Sequence, residues 1–83
     1  MEVHTLEPSQ RRMLLEMLVG ERTGESSLQL GPVFGRAVTA EQLCRLRLAV
    51  WVTSNQITFT AVGRGVAEVL ADRLGRPVAA SAC

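Results

Sequence analysis

VTAEQLCRLRLAVWVTSNQITFT, residues 38–60, is the stretch whose reading decides the fold. Thr39 followed three residues later by Gln42 has the spacing of a capping box, in which two polar side chains satisfy free N–H groups at a helix start. Val38 and Leu43 stand where a hydrophobic staple would clasp that start. A helix is therefore expected to begin at Ala40. It would carry Leu43, Leu46 and Val50 on one line and Cys44, Leu48 and Trp51 on a neighbouring one, leaving Glu41, Gln42, Arg45 and Ala49 outward and Arg47 at the border. Beyond it, Trp51-Val52-Thr53 and Gln56-Ile57-Thr58-Phe59 flank Ser54-Asn55, and asparagine tolerates the positive φ that a tight turn demands. Ile57 and Phe59 alternate with Gln56, Thr58 and Thr60, the period of a strand with one buried face. A hairpin is expected.

Downstream, Thr60 is placed to cap a last helix whose core face would be Val62, Val66, Val69, Leu70 and Leu74. Gly75 and Pro77 are successive stop signals, so this helix is expected to end near Leu74 and to leave 75–83 as a frayed tail. Upstream, a first helix is expected from Pro8 to Val19, with proline in its first turn, Gly20 as a left-handed cap, and Met13, Leu14, Met17 and Leu18 repeating at helical spacing. Between the two, Gly20 to Arg36 reads as loop. Within it Ser27-Leu28-Gln29-Leu30 has the make-up of a short strand, and Pro32-Val33-Phe34 could seed a helical turn.

A chain of 83 residues has room for one core, so residues 1–83 are read as a single domain. With 47% hydrophobic and 20% charged residues it has the apolar content to fold. A domain this small is marginal, which makes a homodimer or another bound partner the expectation. Cys44 and Cys83 make no disulfide framework, no basic segment leads into a long apolar run, and Leu48 to Val52 is far too short to span a bilayer. A cytoplasmic protein outside the membrane is expected. The net charge is +1, yet residues 36–67 carry Arg36, Arg45, Arg47 and Arg64 against Glu41 alone. That middle segment is the electropositive part, the kind of local patch that nucleic-acid binding draws on.

The order of helix, strand or loop, helix, hairpin, helix resembles prokaryotic winged helix-turn-helix domains, in which a capped recognition helix leads into a two-stranded wing. The likeness lies over Val38 to Leu74. Ile57-Thr58-Phe59-Thr60-Ala61-Val62-Gly63-Arg64 stands where such domains carry an isoleucine- or leucine-threonine segment followed by threonine, proline, alanine, glycine and arginine, with Ala61 replacing the common proline. Pro8-Ser9-Gln10-Arg11-Arg12 looks like the usual opening of the first helix. The resemblance implies a small, mainly helical α+β fold with three or four helices and a two- or three-stranded wing. It also implies a DNA-binding transcriptional regulator, dimeric, with the helix from Ala40 in a major groove. Gln42 and Arg45 would then read base edges, Thr39, Arg47 and Arg36 would touch phosphates, and Ser54 and Asn55 at the wing tip would approach the adjacent backbone or minor groove.

A second use of the same scaffold is to bind protein, as small phage or mobile-element proteins do on host machinery. Nine cationic groups against eight anionic ones, with no lysine, leave a thin attraction for phosphate. Phe34 and Trp51 would be the anchors of such an interface. Enzyme chemistry is not expected. His4 has no partner cysteine or carboxylate at metal spacing, so no metal site is foreseen, and no base is placed beside a serine. Gly31-Pro32-Val33-Phe34-Gly35 lacks the lysine of a phosphate loop, no cofactor is implied, and Cys44 reads as a small core hydrophobe.

Overall fold

A computed structural model describes residues 6–32 and 34–82, with side chains over 6–32 and 35–73. The elements, in chain order, are α1 (Pro8–Arg22), β1 (Leu28–Gln29), α2 (Phe34–Arg45), β2 (Ala49–Thr53), β3 (Gln56–Phe59) and α3 (Ala61–Ala82). This is a small α+β fold, three helices and a three-stranded antiparallel sheet in the order β1-β3-β2.

Helix α1 opens as its sequence suggests, with Pro8 in the first turn and the Glu7 N–H donating to Gln10 Oε1 at 3.0 Å. It buries Met13, Leu14, Met17 and Leu18 on one face. Its end differs from expectation: the helix runs through Gly20 to Arg22, and the left-handed glycine is Gly24, at φ +99°. Glycine is permissive and does not stop a helix by itself; what ends one is the position where the backbone has to turn left.

The start of α2 is a larger correction, because the helix begins at Phe34 and not at Ala40. Gly31, at φ +76°, and Pro32 set that boundary by turning the chain and by lacking a donor. Thr39 is thus inside the helix, where its hydroxyl donates to the Gly35 carbonyl one turn back at 3.0 Å. Gln42 likewise caps nothing, since its Oε1 accepts from Gln10 Nε2 of α1 at 3.0 Å.

Helix α2 ends at Arg45, short of the expected run to Trp51. Arg47 takes φ +63°, its N–H donates to the Cys44 carbonyl at 3.0 Å, and the Leu48 N–H reaches back to the Leu43 carbonyl at 3.0 Å. These two bonds form a Schellman motif, with the fully buried Leu43 and Leu48 as its apolar pair. Arginine in the left-handed position costs about 1–2 kcal/mol. Arg47→Gly should therefore raise stability by about 0.5–1 kcal/mol, the gain being trimmed by the freer unfolded chain. A urea midpoint that stays put or falls would show that the arginine side chain compensates for its own backbone.

The hairpin forms where expected, around Ser54-Asn55, with β2 starting two residues earlier than read from sequence. Ile57 of β3 pairs with Leu28 of β1 on one side and Trp51 of β2 on the other. The register slips between Trp51 and Thr53, so Val52 is the extra residue of a bulge. Thr60 then caps α3, accepting from the Gly63 N–H at 3.0 Å and donating to the Arg47 carbonyl at 2.7 Å. Helix α3 continues past Gly75 and Pro77 to Ala82, so the tail expected from residue 75 is helical through 82; Ala79, Ala80 and Ala82 supply strong helix propensity there. Of its expected core face, Val66 and Leu70 are buried with Ala67, Val62 and Val69 are exposed, and the side chain of Leu74 lies outside the described residues. The core gathers these with the α1 face, Leu6, Leu30, Ala40, Leu43, Leu48, Ala49 and Ile57.

Candidate functional site

The seven residues expected to meet DNA divide sharply once placed. Arg36 is spent on the fold: its guanidinium donates to both carboxylate oxygens of Glu16, at 3.2 and 3.0 Å, and to the Leu30 carbonyl at 3.0 Å. With Thr39 it lines a depression of about 370 Å³ between α1 and α2, facing α1 and not the outer face of α2. Thr39 is buried and Gln42 is tied to Gln10. These three lie where two helices meet.

The other four are closer to solvent. Arg45 is exposed and pairs with Glu41 one turn earlier at 3.2 Å, an exposed i,i+4 contact worth only a few tenths of a kcal/mol. Arg47 is exposed, and its guanidinium has no partner among the described residues. Ser54 is exposed at the hairpin tip, while Asn55 is half-buried and its carbonyl accepts from the Leu30 N–H at 2.9 Å, which fastens β1 to the turn. The exposed cations of the expected site are thus Arg45, paired with Glu41, and Arg47, at and just beyond the end of α2.

Val50, expected on a helix face, and Trp51 and Val52, expected in the first hairpin strand, lie together on an edge strand. Val50, Trp51 and Val52 of β2 are 47%, 42% and 53% exposed. The order β1-β3-β2 leaves no strand on the outer side of β2. At its start the edge is closed, since Ala49 is 1% exposed; it opens from Val50 onward. Leu46, just before it, is also partly exposed. A run of half-exposed valine and tryptophan on a strand with one unpaired edge is a surface that attracts another chain. One signal of it is in the sequence: the sixteen residues Leu48 to Gly63 carry no charged side chain, flanked by Arg47 and Arg64. Trp51 belongs to this edge. Phe34 is the first residue of α2, and its side chain lies outside the described residues.

Comparison with protein-family models, with curated proteins and with solved structures returns no match. The chemistry of the surface is therefore the guide.

Among the described residues no group of three or more His, Cys, Asp or Glu side chains is placed to hold a metal ion, and His4 and Cys83 lie outside them. Among the same residues no helix is long and apolar enough to cross a membrane. Cys44 is half-buried on α2; burial, and secondarily the Glu41 carboxylate, push its thiol above the ordinary value. A raised thiol holds less thiolate at neutral pH, and thiolate is the nucleophile. In a Cys83→Ser variant, alkylation of Cys44 by iodoacetamide should be slower than that of free cysteine at pH 7 and should climb at higher pH than free cysteine does. A rate equal to free cysteine would mean that Cys44 is more open than its packing indicates.

Proposed function

We propose that this chain is a protein-binding module that docks through the outer edge of its hairpin, on a scaffold laid out like a winged-helix domain. The observation that carries the reading is the exposure of Val50, Trp51 and Val52 on an uncharged edge strand. Tryptophan is enriched among residues that dominate binding energies, and charge is depleted at interface centres. The scaffold is supported by the helix leading into a hairpin, the sheet order β1-β3-β2 and the last helix capped by Thr60. Residues 23–33, β1 among them, separate α1 from α2, so α2 does not follow α1 across the three- or four-residue turn of a helix-turn-helix pair. This favours use of the scaffold as a platform over insertion of α2 into a groove.

The test is to pan a displayed library of short peptides against the protein, counter-selecting on Trp51→Arg. Peptides that bind the parent, spare the variant and move the emission of Trp51, the chain's one tryptophan, to the blue are the expected result. A library yielding nothing that discriminates the two proteins sinks the reading.

DNA binding is the second reading, and one observation favours it: Arg47 is an exposed arginine in a left-handed backbone position that glycine would occupy at less cost. It calls for micromolar or tighter binding to random duplex at low salt, lost steeply as salt rises and lost in Arg45→Ala/Arg47→Ala. No binding at low salt removes it.

A further inference from the structure

We propose that the occupant of the hairpin edge is a second copy of this chain, antiparallel to the first across a twofold axis close to Trp51. The inference rests on the reading of that edge as a docking surface and names its partner.

The first support is charge. A twofold interface sets one patch against itself, so any charged side chain near the axis would face its own sign. The hairpin from Leu48 to Phe59 has none, and a neutral surface is the composition that self-association tolerates. Antiparallel placement also sends the exposed Arg45 and Arg47, which precede β2, to opposite ends of the pair, each beside Ser54 and Asn55 of the other copy. Parallel placement would gather four arginines at one end.

The second support is shape. With the axis at Trp51, Val50 of each copy faces Val52 of the other, so the half-exposed residues of β2 find like partners. Because Ala49 is closed off and Val52 bulges, the contact is mainly side-chain packing and not a continuous six-stranded ladder.

Size sets the strength. Taking a whole tryptophan as roughly 250 Å², the exposed parts of the three side chains come to about 300 Å² per copy. A standard interface takes about 800 Å² per partner, so even with Leu46 added this is a small contact at the weak, transient end of association, and dissociation on the order of hundreds of micromolar is expected. The pair forms and separates with concentration, and a single core of this size gains from the additional burial.

The sole tryptophan reports on its own docking. Sedimentation of the full chain from low micromolar to submillimolar concentration should show the mass rising from 9.0 kDa toward twice that value. Trp51 emission should shift to the blue over the same range. Trp51→Arg should weaken association by roughly thirtyfold, as loss of a hot-spot side chain does. Val52→Lys, at a more exposed position, should do so too and keeps the test open if the first variant folds poorly by circular dichroism. Val62→Arg, on the exposed side of α3, should change neither readout.

A dimer that Trp51 emission does not follow, or that both edge variants retain, overturns the proposal by placing the contact elsewhere. A mass of 9.0 kDa at every concentration overturns it as well. In that event acrylamide quenching separates the two levels of the reading: an accessible Trp51 leaves the edge open to a different protein, whereas a shielded Trp51 sinks the docking surface itself.

Discussion

Gly63→Ala should come close to unfolding the protein. A Cβ built at Gly63 would lie 1.7 Å from the Leu48 carbonyl oxygen and 2.6 Å from its carbon. Those are backbone atoms inside the Schellman motif, so no side chain can rotate to make room. Either the first turn of α3 lifts off or the α2–β2 junction shifts, and Thr60 bonds both of them. A loss of about 3–5 kcal/mol is expected, at the upper end of overpacking effects and comparable to the whole stability of many small domains. Gly65 is the control, because it lies in the same helix with nothing within 4 Å of the added methyl. Gly65→Ala should be neutral or stabilising by up to about 1 kcal/mol, from helix propensity alone. Urea denaturation of the two variants would put them on opposite sides of the parent; equal effects would show that α3 does not approach Leu48 so closely.

Leu14→Ala is the second large effect. Leu14 is fully buried on α1, the helix that packs against α2, α3 and β1. Truncation removes apolar burial and leaves a cavity among elements that cannot all close on it, which in comparable cores costs about 3–5 kcal/mol. Val19→Ala, on the exposed side of the same helix, should stay within about 0.5 kcal/mol. If calorimetry shows Leu14→Ala to be mild, α1 is not the centre of the core.

Much of the fold is legible in local signals. Met13, Leu14, Met17 and Leu18 announce a buried helical face, and Ile57 the buried side of a strand. Thr60 marks a cap because its hydroxyl acts within one turn of its own position. The start of α2 is not legible this way. Thr39 and Gln42 have capping spacing, but their side chains are used within the helix and on Gln10, while the boundary is set by Gly31 and Pro32 upstream. The end of α2 is hidden for a related reason: arginine is not a residue one expects at φ +63°, so the helix reads on through Leu46 to Trp51. That misplaced end hides the extent of the candidate site: Trp51 is legible as an anchor in a hairpin strand, but Val50 counts as a helix face until the chain is seen to turn at Arg47. Of the residues singled out for a site, Arg45, Arg47, Ser54 and Trp51 stand on the outer surface. Arg36, Thr39 and Gln42 serve the α1–α2 contact.

Thr60 has one consequence for motion. Its hydroxyl joins the Arg47 carbonyl, just past the end of α2, to the Gly63 amide in the first turn of α3, and its N–H joins β3 to Leu48 at 3.2 Å. The base of the hairpin is thereby stitched to both helices, and it cannot swing without releasing them. Where a hairpin on a free hinge would breathe alone, here the amides of Phe59, Thr60 and Gly63 should exchange with deuterium as one cooperative unit, near the rate of global opening. A surface carried on such a base is held in one orientation before any partner arrives, and the entropy of ordering it has already been met in folding.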